Sequence, residues 1–265
     1  MSTEQERRPF AALAGGTVIG AFGGLIGLGG AEFRLPLLLS VFRFPPIEAI
    51  ILNKATSLIV VASALVFRTR NVPFGEVIAH APVVANLLVG SLLGAWLGAS
   101  LATRMPSVTL YRVIAVLLVA IAAVLFFGHD VPSVATPALA GWRLWVTGAA
   151  AGLAIGAVAS LLGVAGGELL IPTLVLLFGI EIKLAGSLSL VVSLPTMLVG
   201  FVRYSRDRSF GVVTRHRAFL VWIAAGSILG TFIGALLLGY TSAAILIPLL
   251  TLILLVSAFK VWRHS

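Results

Sequence analysis

There is no cysteine among the 265 residues, which excludes disulfides, thiolate nucleophiles and cysteine-ligated metals. Charge is nearly as scarce. Only 10% of residues are charged, against roughly 25% in an ordinary soluble domain. The four histidines show no spacing with acidic residues that suggests a metal site. The glycine run GLIGLGG has no strand-turn-helix context, no downstream acidic residue and no closing Lys-Ser/Thr. A phosphate loop and a dinucleotide turn are therefore excluded, and ATP-driven transport has no support. No nucleophile elbow with a His–acid pair is present, so neither an enzyme nor a cofactor is expected.

What the chain has instead is long apolar runs, with 60% hydrophobic residues in all. Phe10–Leu28, Ile47–Phe67, Val77–Leu101, Val108–Phe127, Trp142–Leu162, Leu184–Val202, Ala218–Leu238 and Ala243–Val261 each approach the roughly 20 residues that cross a hydrocarbon core. An all-α polytopic membrane protein follows, with lipid as a partner. The net charge of +9 sits at segment ends and in loops, as positive cytoplasmic loops require. It does not form the basic stripe that tracks nucleic acid. The polar stretch Met1–Pro9 lacks an apolar core with a small-residue cleavage site and is expected to be a cytoplasmic tail. Trp96, Trp142, Trp145, Trp222 and Trp262 fall mostly near segment ends, where interface anchors belong.

The chain also matches itself at an offset of 136 residues. GLIGLGGAEFRLP (Gly24–Pro36) lies over SLLGVAGGELLIP (Ser160–Pro172), aligning Glu32 with Glu168 and Pro36 with Pro172. Phe74, Gly75 and His80 align with Phe210, Gly211 and His216, and GSLLGAWLGA (Gly90–Ala99) with GSILGTFIGA (Gly226–Ala235). Glycines, a glutamate and a proline held at one offset indicate an internal duplication. The expected organisation is a tail (1–9), a first transmembrane repeat (10–128), a linker (129–141), a second repeat (142–262) and a C-terminal cytoplasmic tail (263–265). The recurring His80 and His216 are expected at the interface.

Each half carries four long apolar segments and a short one, Phe33–Phe42 or Leu169–Gly179. Ten helical residues reach only ~15 Å, about half the hydrocarbon thickness. The expected fold has about eight full transmembrane helices plus a short broken or re-entrant helix in each half, with the halves parallel. The alternative is ten spans forming an inverted repeat. Basic residues do not separate the two, because the loop from Arg203 to Arg217 is cytoplasmic in both.

Glycine and proline around a glutamate inside a membrane segment predict an interrupted helix, with the breaks assigned to Pro36 and Pro172. Interrupted backbone is tolerated in a membrane only where it is buried in protein or lines a cavity. There, freed N–H groups and the half-helix dipole can hold an anion. Matching interruptions in two halves point to a transporter's central site. The candidate substrate-binding residues are Gly29, Gly30, Ala31, Arg34, Asn53, Lys54, Thr56 and Ser57 in the first half. Ala165, Gly166, Gly167, Ser187 and Ser189 are their counterparts in the second. Glu32 and Glu168 cost on the order of 3 kcal/mol each at mid-membrane, and are candidates for carrying a coupling proton or organising the helix break. Arg34 could equally pair with Glu32 or snorkel to an interface. The glycines of the two GSxLG segments suit close helix packing.

The duplicated motif, GLGGAEFRLPLLL and GVAGGELLIPTLVLL, resembles the signature of the sulfite exporter TauE/SafE family, over about Thr17 to Trp262. The resemblance implies a secondary carrier of sulfur-containing oxyanions such as sulfite, sulfonates or sulfoacetate, often proton-coupled, in the cell membrane (in a bacterium, the inner membrane). Ala31 departs from the glycine pattern that Gly167 keeps, and Arg34 occupies a usually apolar position. The expected function is alternating-access transport of such an anion. An anion-selective channel and a non-transporting membrane assembly factor are the alternatives, and a homodimer is left open.

Overall fold

The computed structural model describes residues 9–26, 30–68, 74–127, 139–237 and 243–263. Within them the chain is helical and contains no strand. The helices are α1 (Pro9–Ile26), α2 (Ala31–Ser40), α3 (Pro46–Arg68), α4 (Phe74–Ala79), α5 (Ala81–Ala102), α6 (Ser107–Phe127), α7 (Trp142–Leu162), α8 (Gly167–Phe178), α9 (Ile182–Tyr204), α10 (Gly211–Arg215), α11 (Arg217–Leu237) and α12 (Ala243–Trp262). A single 3-10 turn, Arg208–Phe210, precedes α10. Most of the expected linker, most of both tails and the candidate Gly29 lie outside the described residues.

Among the described residues six helices are long and apolar enough to cross a membrane: 46–65, 81–102, 107–124, 142–162, 183–204 and 217–234. The faces of these helices are the reverse of a soluble protein's. On α5, Val89, Leu93, Leu97 and Leu101 point outward at half exposure or more, while Gly90, Ser91, Gly94, Ala95 and Gly98 point inward. Large apolar residues outside and small or polar ones inside are what lipid demands, because lipid offers backbone and side-chain polar groups no partners.

The small residues form seams. α5 lies along α7, and α1 along α11. Gly90, Gly94 and Gly98 abut Ala149, Leu153 and Ala157, while Gly152 and Gly156 abut Leu87 and Ser91. A Cβ at Gly94 would fall 2.0 Å from the Leu153 carbonyl oxygen. The α1–α11 seam repeats the pattern, with Gly226 and Gly230 on Leu13 and Thr17, and Gly16 and Gly20 on Ile223 and Ser227. In both seams the paired positions advance together, so each pair of helices is parallel. Two other pairs are antiparallel. Lys54, early in α3, meets Gly200, late in α9. Arg112, early in α6, stacks 5.9 Å from the ring of Trp262 at the end of α12.

The two short helices begin at fold-backs. Gly30 caps α2 in the left-handed region at φ 69°, and Gly166 caps α8 at φ 79°. A side chain at position 30 would meet the Ile19 carbonyl oxygen at 2.5 Å. Leu37 lies against Gly15 farther along, so α2 runs back along α1. Gly166 likewise lies against Ile155 and Ala159 of α7. The helix breaks therefore fall at the glycines, and assigning them to the prolines is corrected. Pro36 and Pro172 sit inside α2 and α8. Proline's fixed φ suits an early helical turn, and what it removes is one donor. In each half that donor is the one the carbonyl of the glutamate four residues earlier would have used. Ala31, Pro46, Ala81 and Ser107 open helices in the first half, and Gly167, Ile182, Arg217 and Ala243 open helices 136 residues on.

Gly94→Val should weaken the α5–α7 seam by about 1–3 kcal/mol through overpacking, measured by unfolding in detergent. Gly75→Ala, where nothing lies within 4 Å, should stay within about 0.5 kcal/mol of the parent.

Candidate functional site

Because α2 starts beside the middle of α1, its first turn brings Glu32 and Arg34 deep inside the bundle, at 1% and 0% exposure. The Arg34 amide makes the opening helical bond to the Gly30 carbonyl at 3.1 Å. Its guanidinium then spans three helices. Nε donates to Asn53 Oδ1 at 2.8 Å, Nη1 to Ser227 Oγ at 3.0 Å, and Nη2 to Ser57 Oγ. Asn53 turns its amide nitrogen the other way, donating to the carbonyls of Ala31 and Leu162, both at 3.0 Å. The Leu162 carbonyl lies in the last turn of α7, where the helix has no donor of its own to offer. One asparagine therefore closes the end of α7, holds the start of α2 and receives the arginine. Arg34 neither pairs with Glu32 nor snorkels. Its hydrogen-bond partners are all neutral, and Glu32 acts on it electrostatically without a direct bond.

Lys54, one residue along α3, is also fully buried and donates to Ser160 Oγ at 3.3 Å. The Ser160 carbonyl in turn accepts from the Tyr204 hydroxyl at 2.8 Å. Glu32 and Glu168 occupy the first turns of α2 and α8. No donor reaches any of their four carboxyl oxygens, and the two side chains interact with each other.

The other expected residues divide. Ala31 and Ala165 offer carbonyls, the latter accepting from Ser193 Oγ at 2.8 Å, and Gly30, Gly166 and Gly167 form the helix starts. The Thr56 hydroxyl bonds to Leu52 in its own helix, as Ser187 does to Lys183 and Ser189 to Gly186. The structure does not join these three to the Arg34 cluster. Several participants escaped the sequence. Ser227 was grouped with the packing glycines, although its recurrence as Ser91 was a signal. Ser160, Ser193, Tyr204 and the Ser91–Thr196 pair, 2.7 Å apart, carried none. His216 is 4% exposed and stands edge-on to Phe44 at 5.3 Å. No group of three or more His, Asp or Glu side chains that could hold a metal occurs among the described residues.

Charged and hydroxyl side chains sealed among helices with apolar outer faces define a multi-pass membrane protein. The chain belongs to the sulfite exporter TauE/SafE family, whose model matches residues 11–261. At the level of the family this is a sulfur-anion transporter rather than an enzyme. No curated protein and no solved structure matches the chain.

Asn53→Ala would leave the Arg34 Nε and the Leu162 carbonyl unpaired, and should cost on the order of 3 kcal/mol. Thr56→Ala, which removes a bond within one helix, should cost less than about 1 kcal/mol. Thermal or denaturant unfolding in detergent distinguishes them.

Proposed function

We propose that this protein is a secondary transporter of a small sulfur oxyanion of the sulfite, sulfonate or sulfoacetate class. In this proposal it is proton-coupled and works by alternating access between two inverted halves. The observation that carries the proposal is the Lys54 ammonium, sealed at the centre beside the Ser160 hydroxyl with no carboxylate paired to it among the described residues. A compact oxyanion supplies the missing negative charge and accepts several hydrogen bonds at once. Fully buried Arg34, Asn53 and Lys54 favour a carrier, since a conducting channel needs a path open to both sides.

Helix directions support the ten-crossing alternative over parallel halves. α3 and α9 occupy equivalent places 136 residues apart, as do α6 and α12, and both pairs run antiparallel. Equivalent helices of opposite direction are what an inverted repeat produces. The shared offset of the helix starts supports the duplication and the two-repeat domain division. Ten crossings bring Arg43, Arg104, Arg203, Arg206, Arg215 and Lys260 to one face and leave Arg68, Arg70, Arg143 and Lys183 on the other. Contacts between helix ends agree: Arg215 pairs with Glu48 at 3.6 Å, and Arg203 Nε donates to Ser100 Oγ at 2.7 Å. The basic face is cytoplasmic by the positive-inside rule, and the start of α1 and the end of α12 belong to it.

Glu32 and Glu168 form the coupling element. Each half contributes one carboxyl group; neither has a hydrogen-bond donor among the described residues, and Glu168 and Arg34 both act on Glu32 electrostatically. A proton held between them is exposed to one side or the other as the halves rock.

In liposomes, saturable uptake of sulfite and sulfoacetate should rise at least several-fold with an imposed proton gradient. Glu32→Gln and Glu168→Gln should each remove the gradient's effect. Gradient-driven flux that persists unchanged in both variants would rule out the carboxyl pair as the proton carrier.

A further inference from the structure

The two buried cations are held in different ways. Arg34 has all three nitrogens engaged, on Asn53, Ser227 and Ser57. Its bonds tie α2 to α3 and α11, so releasing any of them loosens the bundle. Lys54 is equally buried, but its one hydrogen-bond partner is Ser160 Oγ at 3.3 Å, at the long end for such a bond. An ammonium carries three donors, and two of them have no partner among the described residues. No carboxylate pairs with this ammonium among the described residues; the ion pair found there is Arg215–Glu48, elsewhere in the protein. A buried charge with no counter-ion is unfavourable, and within membrane segments such groups mark substrate and ion pathways.

The surroundings of Lys54 are built to keep its donors together. The ammonium lies on the bare backbone of Gly200, where a Cβ would fall 2.9 Å from Nζ and 2.6 Å from Ser160 Oγ. Any side chain there forces the two apart. Tyr204, one turn later on α9 and fully buried, holds the Ser160 carbonyl at 2.8 Å. The same helix therefore supplies the gap and fixes the serine. Ser160 accepts from Lys54 through its oxygen, and its own hydrogen remains available to a ligand.

We infer that the oxyanion docks on Lys54 and Ser160, with Gly200 as the residue that keeps these two donors within reach of one ligand, and that Arg34 is a positioning residue and not the anion's ligand. This rests on the transport function proposed above. It adds that the binding centre lies at the α3–α7–α9 junction. An anion bound there takes the spare ammonium hydrogens and the serine hydroxyl as α9 draws away.

The test is thermal unfolding of the purified full chain in detergent, titrated with sodium sulfite against sodium chloride at equal ionic strength. The parent should show a saturable rise in unfolding temperature with sulfite. Lys54→Gln removes an unpaired charge, so without sulfite it should unfold at the parent's temperature or above, and its sulfite response should vanish. Gly200→Ala should raise the half-saturating sulfite concentration at least tenfold. Ser227→Ala should lower the unfolding temperature without sulfite and leave half-saturation within about threefold. No sulfite response in the parent, or a parental half-saturation in Lys54→Gln, overturns the assignment. Liposome flux separates this from the transport function. Sulfite binding through Lys54 without flux counts against transport alone. Saturable flux with an unchanged KM in Lys54→Gln overturns the Lys54 site and leaves transport standing.

Discussion

A guanidinium in the middle of a membrane protein has no water to turn to, so oxygen atoms of the protein must meet it on every side. Arg34 imposes that requirement here, and much of the central architecture answers it. Its partners are an amide and two hydroxyls, drawn from α3 and α11. Neutral partners satisfy the hydrogen bonds and leave the charge in place. Asn53 can serve only because its other end finds two carbonyls, one at the start of α2 and one at the end of α7. The network thus consumes an orphan carbonyl at the end of an interrupted helix, that of Leu162. An interruption that lipid would forbid becomes a structural joint.

Around this joint the glycine seams act as the rigid frame. Backbones that approach closely along α1–α11 and α5–α7 gain dispersion contacts that lipid cannot provide. They resist sliding because each added methyl would strike a carbonyl. Each seam joins the first helix of one segment, 9–127 or 142–262, to the fifth helix of the other, so the two segments interlock and do not merely abut. Between the seams lie the fold-back helices α2 and α8 and the crossing pair α3 and α9. Those elements carry every titratable group of the centre.

The duplication was legible because polar and conformationally special residues are rare in such a chain, so a repeated glutamate, proline and glycine stand out against an apolar background. The interruption was legible for the same reason. Its cause was misassigned, because a proline early in a helix costs one donor whereas the left-handed turns at Gly30 and Gly166 need the absence of a Cβ. Arg34, Asn53, Lys54 and Ser57 were found as rare polar residues in apolar segments. Ser160, Ser227 and Tyr204 were not, because a hydroxyl in a membrane helix can always bond to its own backbone. Only the neighbouring helices determine whether it does, as Thr56, Ser187 and Ser189 show by doing so.

By itself the sequence determined the membrane class, the apolar runs, the match of the chain to itself at one offset and the short list of charged residues within those runs. These follow from composition and periodicity, which report what each segment must bury or expose. Only the tertiary structure decided which segments run against one another, that Arg34 binds neutral partners and not Glu32, and that the two glutamates of separate halves meet. Each of these turns on distances between residues more than a hundred positions apart in the chain, or on a fold-back of a few residues whose direction no local pattern encodes.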